Sequence, residues 1–413
     1  MGSVRSSTGG SELKPVAAAL EALLQGVDVL GTERLACEEV AGRVLANDVT
    51  ARLDVPSFDN SAMDGYALHH GDAGKALPIR QRIAAGTPVQ PLAPGSCARI
   101  FTGGEIPPGA DCVVMQERVE VADGVATLPG DIPQGDNVRR RGRDVACGSV
   151  LLEAGRRLEA AALGHLAGQG ITEVEVRRRP RVALLSTGDE IVDPGKPLGP
   201  GQLYNSNRPM LRRLMEHFGA SIVMMESIPD DPLTTREMLA RAASQADIVV
   251  TTGGVSVGEE DHVKAAVEAL GELDLWRLAI RPGKPLALGR IGRGNGDGEA
   301  RFVGLPGNPV SSFVGTWLFL RPLIGRMQGC PALATLPEIP AISAFSARTG
   351  PRAHYMRVKL RFDGQGVHAE AFADQNSAVL SSCIEADALA VIPAEASISP
   401  GEPISCLWLR NDT

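Results

Sequence analysis

The seven cysteines, Cys37, Cys97, Cys112, Cys147, Cys330, Cys383 and Cys406, are scattered and form no CxxC pair. That excludes a zinc ribbon and a dithiol redox motif, and they read as packed thiols in a reducing compartment. No stretch of about 18 consecutive apolar residues occurs, so no conventional membrane-spanning helix is expected. The opening segment MGSVRSSTGG has no apolar signal-peptide core, and the protein is expected in the cytoplasm with no membrane partner. Positive charge is in deficit, 41 Lys and Arg against 49 Asp and Glu for a net charge of −8. Neutralising a phosphate backbone needs a basic face, so sequence-independent nucleic-acid binding is excluded as an expectation. HExxH and GxxxxGK[ST] are absent, which removes the zincin helix and the Walker phosphate loop. Histidines are dispersed. Only His69, His70 and His262 lie near segments of interest, and no partner cluster flanks them in sequence.

At 413 residues the chain exceeds one ordinary domain of roughly 100–200 residues. Helical apolar spacing over 13–24 and again over 36–45 predicts two opening helices. Over 55–144 the pattern changes to short β-like runs broken by Gly and Pro, a β-rich insertion. A helical pattern returns over 158–170. After 180 strand and helix alternate: strands at 182–185, 221–228, 248–251 and 302–305, helices at 209–218, 233–244 and 262–270, and a long helix from Val310. Such alternation predicts βαβ units and a mostly parallel sheet. Beyond 329 short strands dominate, including 355–362 and 389–392. The chain thus reads as a multidomain α/β and β protein. Its expected parts are a discontinuous helical/β linker domain (1–54 with 145–179) for dimerisation, a β-rich insertion domain (55–144), a central doubly wound α/β domain with a parallel-rich sheet (180–329), and a small C-terminal β-domain (330–413). No internal repeat is present.

Ligands of open α/β sheets sit beyond the carboxyl ends of the strands, so the loops after the predicted strands are where chemistry is expected. Ser186, Thr187, Gly188, Asp189 and Glu190 follow the first strand, with two hydroxyls and two carboxylates suited to magnesium or to an ordinary turn. Asp230 ends the second strand, while Asp231 before Pro232 is placed to cap a helix. Thr252, Gly253, Gly254, Ser256 and Gly258 lead from a strand into a helix, the geometry in which backbone amides cradle a phosphate. Glu259, Glu260 and Asp261 end the same loop and match a phosphate only through a divalent cation. Arg281 and Lys284 are held in a stiff Pro-Gly turn that suits an oxyanion. Pro306, Gly307, Asn308 and Ser311 open the long helix, whose free amides offer a further anion site. Arg139 to Arg143 form a charge run of the kind that usually marks a solvated face.

With these segments in view, the chain resembles the molybdopterin molybdenumtransferase family, which includes the E domains of gephyrin and its plant counterpart. The resemblance rests on residues 58–67 (FDNSAMDGYA), Thr102-Gly103, 113–117 (VVMQE), 186–190, 252–261, 282–285 and 305–311, and covers nearly the whole chain. It implies adenylylated molybdopterin and molybdate as substrates, Mg2+ as the cofactor, and molybdenum cofactor and AMP as products. It implies magnesium on Glu190, Asp230 and Asp261, molybdate on Arg281, Lys284, Ser311, Arg357 and Ser377, and substrate contacts from Arg139, Arg277 and the glycine-rich loop. Asp64, Thr102, Arg139 and Asp144 are implied as functional too. Since the relatives are elongated homodimers, the resemblance implies a site shared between subunits, with a molybdopterin adenylyltransferase and apo-molybdoenzymes as further partners. Two departures stand out. Arg277 and Arg281 stand where bacterial relatives often carry lysine, which keeps charge but changes geometry. Asn205 stands where an acid is expected, removing one candidate magnesium ligand. The central stretch alone is also compatible with the pathway's adenylyltransferase or a competence-damage-type nucleotide hydrolase, and the whole chain with a non-catalytic gephyrin-like scaffold.

Overall fold

The computed structural model describes residues 13–254, 262–283, 285–294, 298–364 and 366–409. The chain divides into two units, one of residues 1–46, 155–160 and 173–413, the other of residues 47–154 and 161–172.

At the centre of the first unit is a six-stranded sheet in the order Ser221–Ile228, Arg181–Thr187, Ile248–Thr252, Glu299–Leu305, Pro285–Gly292, Gly271–Arg277. The first four strands run parallel. The last two are added antiparallel to their neighbours. Side chains alternate across the sheet, and both faces are covered. Val182, Leu184 and Val250 pack on one side with Leu211, Phe218 and Trp317, and Ala183, Leu185 and Val249 on the other with Leu239, Val267 and Phe302. Burial on both faces explains why these strands read as continuous apolar runs rather than alternating ones. Helices Asn207–His217, Pro232–Gln245 and His262–Leu270 supply the cover. The expected long helix runs from Pro309 to Met327, with a π-helical stretch at Thr316–Leu320 between two α-helical ones.

The C-terminal part of this unit is a closed five-stranded β-barrel. Ala353–Asp363 pairs with Gly366–Ala371 and with Ala388–Ile392, and Glu338–Ser343 and Pro403–Trp408 complete the ring. Ile280–Arg281 adds to it in parallel, Arg281 lying opposite His354. The helix Val16–Leu24 buries Ala19 and Leu23 in the core of the α/β part. The second opening helix expected over 36–45 is absent. Thr32–Ala36 is instead a strand paired with Glu173–Arg177, and turns follow, with Gly42 at φ +71°. Val40 and Val44 are buried as expected, but turns can also produce that i, i+4 spacing, and a left-handed Gly42 cannot continue a right-handed helix.

The second unit is β-rich, with a sheet ordered Cys112–Met115, Gly65–Leu68, Cys97–Ile100, Ala76–Ile83, Val125–Thr127, Glu120–Ala122. All its pairings are antiparallel except that of Ala76–Ile83 with Cys97–Ile100. Four cysteines are buried and Cys147 is exposed. No described helix is long and apolar enough to cross a membrane.

Candidate active site

Strand-end loops of the α/β part meet the β-barrel around a cavity of about 430 Å3. Gly253, Gly254, Arg281, Pro306, Gly307, Asn308 and Ser311 line it on one side, Arg352 and Ser377 on the other. Glycine is required at Gly253, whose φ is +87° and where a Cβ would lie 2.6 Å from Thr187 Oγ1. That hydroxyl donates to the Thr252 carbonyl at 3.2 Å. Gly283 (φ +84°) brings the turn after Arg281 so close that a Cβ there would lie 3.0 Å from Ser311 Cβ. Ser311 is 4% exposed and its hydroxyl has no hydrogen-bond partner among the described residues. A buried hydroxyl left unpaired is costly, so one that lines a cavity marks where a ligand oxygen or water belongs.

The barrel side is held by Arg357. Its guanidinium is fully buried and donates to Ser382 Oγ at 2.9 Å and to the carbonyls of Gln375 at 3.1 Å, Asp374 at 3.2 Å and Asn376 at 3.1 Å. Val310 N donates to the Ser377 carbonyl at 3.1 Å, which ties that loop to the long helix. Next to Arg281 in register, His354 is buried, with Nε2 unpaired among the described residues. Its pKa is pushed down to about 4, first by burial and then by the charges of Arg281, Arg357 and Arg352, so positive charge dominates here.

Ser186 is buried, and its hydroxyl accepts from Asn205 Nδ2 at 2.9 Å, while Asn205 Oδ1 accepts from Arg208 N at 3.0 Å. The amide uses its donor and its acceptor together, which an ionised carboxylate cannot do. The departure at 205 thus becomes a structural link between a strand end and a helix start. Asp231 caps its helix by accepting from Thr234 N at 2.7 Å.

Residues 14–170 match the MoeA N-terminal region (domain I and II), 183–326 the probable molybdopterin binding domain, and 341–409 the MoeA C-terminal region (domain IV). A molybdopterin molybdenumtransferase of Haemophilus influenzae is 38% identical, over 91% of this chain and 93% of that one. The chain belongs to the molybdopterin molybdenumtransferase family. A second relative of that name, from a Nostoc species, is 35% identical over 89% of this chain and 86% of its own length. Among solved structures, a molybdopterin biosynthesis MoeA protein of Pyrococcus horikoshii superposes with a TM-score of 0.76 at 30% identity, covering 96% of this chain and 99% of that one. Matches of this extent make the chain an enzyme of molybdenum cofactor biosynthesis, a transferase acting on molybdopterin.

Against that family background the expected site residues fall into groups. Gly253, Gly254, Arg281, Pro306, Gly307, Asn308, Ser311 and Ser377 line the cavity. Ser186, Thr187, Gly188 and Thr252 belong to the strand ends beside it. Arg357 lies beneath the 374–376 loop and bonds to it instead of lining the cavity. Arg277 is exposed at a strand end and is likewise not part of the lining. Glu190 and Asp230 are exposed on neighbouring strand-end loops, joined where Asp230 N donates to Asp189 Oδ1 at 3.4 Å. In the other unit, Asp64 accepts from Thr102 N and Oγ1, both at 2.8 Å, and these bonds hold its carboxyl below the usual range. Arg139 and Asp144 are exposed in that unit. Ser256, Gly258, Asp261 and Lys284 lie outside the described residues. Arg352, Gln375 and Asn376 line the cavity without having been singled out. Nothing in their local sequence marks them; they are reached only through the pairing of Ile280–Arg281 with the Ala353–Asp363 strand.

Proposed function

We propose that this transferase inserts molybdate into adenylylated molybdopterin in a magnesium-dependent reaction that releases molybdenum cofactor and AMP. The observation that carries the reading is the cavity lined by Arg281, Arg352, Ser377 and the unpaired Ser311 hydroxyl. Molybdate is a tetrahedral dianion, and converging cationic and hydroxyl donors suit it. Arg281, Lys284, Ser311 and Ser377 would bind it, with Arg357 positioning the loop that carries Ser377. Backbone amides of the 252–258 loop would hold the terminal phosphate of the substrate, Ser186, Thr187, Gly188, Pro306, Gly307 and Asn308 would shape its bed, and Arg277 would sit at its edge.

The donors fit magnesium in kind, since Glu190 and Asp230 are hard oxygen ligands on adjoining loops. They do not complete a set by themselves: His262 Nε2 lies 3.4 Å from Asp230 Oδ1, but among the described residues no three such donors gather around Glu190 and Asp230, and Asp261 is the proposed third. When bound, magnesium supplies charge neutralisation at the phosphoanhydride. Asp64, Thr102, Arg139 and Asp144 would complete the site of a partner subunit in a homodimer. We place the domain boundaries at 1–54 with 145–179, 55–144, 180–329 and 330–413, and the protein in the cytoplasm. Its further partners would be a molybdopterin adenylyltransferase and apo-molybdoenzymes. Matches along almost the whole chain favour this reading over the adenylyltransferase or nucleotide hydrolase alternatives, which would account for the central stretch alone.

The test is AMP release from adenylylated molybdopterin with magnesium, with and without molybdate, followed by transfer of the product to a cofactor-free molybdoenzyme. Molybdate-dependent release with enzyme reactivation is expected. A folded protein that binds the substrate but releases nothing would overturn the proposal in favour of a scaffold.

A further inference from the structure

The proposed reaction makes no use of a histidine pair in the second unit. There the strand Gly65–Leu68 ends and is followed by His69 and a single 3-10 turn, His70–Asp72. Leu68 pairs with Cys112 on the neighbouring strand, so Asp111 is brought beside His69 and His70 although it is about forty residues distant in sequence. Asp111 N donates to the Leu68 carbonyl at 3.0 Å, which anchors its backbone. Its carboxylate is anchored too, because Oδ1 accepts from His70 N at 2.7 Å. Oδ2 then lies 2.6 Å from His70 Nδ1 and 3.9 Å from His69 Nε2. The two rings stack with centroids 4.7 Å apart. Only 18% of the Asp111 side chain is exposed, against 55% and 41% for His69 and His70. The nearby Lys75 is bonded to Asp72 at 2.6 Å and makes no ion pair with Asp111.

We infer that His69, His70 and Asp111 form a binding site for a divalent transition-metal ion that prefers nitrogen and oxygen donors, with Zn2+ as its representative. One donor atom from each residue lies within 4.8 Å of the other two, so small side-chain rotations bring all three onto one ion. Two imidazoles and a carboxylate form a donor set suited to zinc and its neighbours and not to magnesium, which takes oxygen ligands. The carboxylate is the preset member, held by a main-chain N–H, and the exposed rings leave room for water at the remaining positions. Occupation joins the His70–Asp72 turn to the start of the Cys112–Met115 strand. It also requires a change of tautomer. His69 Nδ1 accepts from Gly71 N at 3.1 Å, so the proton is on Nε2 and must leave that atom before it can ligate.

The test uses tag-free, full-length protein carrying Cys147→Ser to remove the exposed thiol, titrated calorimetrically with zinc chloride at neutral pH, with and without excess magnesium. One equivalent is expected to bind, with no displacement by magnesium. The His69→Gln/His70→Gln double variant should lose at least about tenfold in affinity, while circular dichroism of the metal-free protein stays unchanged. If that double variant misfolds, the exposed His69→Gln single variant serves, read by loss of one nitrogen coupling in the Cu2+ electron-spin spectrum. Absence of saturable binding, unchanged affinity in the folded variants, or displacement by magnesium would each overturn the inference. None of these readouts depends on the transferase reaction.

Discussion

Ser311 and Arg357 sit a few residues' width apart in purpose: one hydroxyl is left without a partner, and one guanidinium is almost fully occupied. Among the described residues Ser311 Oγ is buried without a partner, so in the proposed site its removal is expected to cost the fold little and the ligand much. Ser311→Ala should leave the unfolding free energy in urea titration within about 0.5 kcal/mol of the parent, while the KM for molybdate rises about tenfold. Arg357→Met is expected to do the reverse first. It strips the donors from three carbonyls and one hydroxyl, and with charged hydrogen bonds contributing about 1.5–3 kcal/mol each, unfolding free energy should fall by at least about 3 kcal/mol in urea titration. Asn205 completes the residue scale. Its amide shows how a departure from an expected acid can be structural, since one group must donate to Ser186 and accept from Arg208 at once.

Elements set where those residues stand. The strand Ile248–Thr252 delivers Gly253 into a turn that only glycine fits, because both its φ of +87° and the 2.6 Å approach to Thr187 Oγ1 oppose a Cβ. Gly253→Ala should therefore destabilise by about 1–3 kcal/mol and raise the KM for the pterin substrate. Thermal unfolding and steady-state kinetics check the two effects separately. The strand Ala353–Asp363 carries a different liability in His354, neutral and buried with its pKa pushed down to about 4. Its unfolded-state value is about 6.5, so the unfolded chain takes up a proton first as the solution is acidified. The contribution of neutral His354 to stability is thus complete above pH about 6.5 and lost progressively as the pH falls from there to about 4. His354→Phe should flatten that portion of the urea-midpoint profile between pH 6.5 and 4.

For the whole molecule, the expected functional residues divide between two units. Arg281, Ser311 and the strand-end loops belong to one, and Asp64, Thr102, Arg139 and Asp144 to the other. The proposed shared site in a homodimer makes a clear prediction. Asp64→Asn and Arg281→Met should each be nearly inactive alone, yet their mixture after subunit exchange should recover about a quarter of the parental rate. Random exchange makes half the dimers mixed, and each mixed dimer keeps one intact site of two. Recovery of no activity, with exchange verified by mass, would mean that each site is built within one chain.

By itself the sequence determined the alternation of strand and helix after residue 180, the β-rich character of 55–144, and the glycines and Pro-Gly turn that line the candidate cavity. These features follow from local chemistry: apolar runs buried on both faces of a parallel sheet, and glycines where a Cβ has no room. Tertiary structure alone decided the rest. The strand Pro285–Gly292 and the edge strand Gly271–Arg277 were not anticipated, and the 36–45 segment became strand and turns, because apolar spacing records burial and not the backbone that achieves it. Arg352 faces the cavity and Arg357 lies under its wall, although both carry the same charge five residues apart. His70 meets Asp111 for the same reason: both are placed by strand pairing between distant segments, and such pairing has no period in the sequence to betray it.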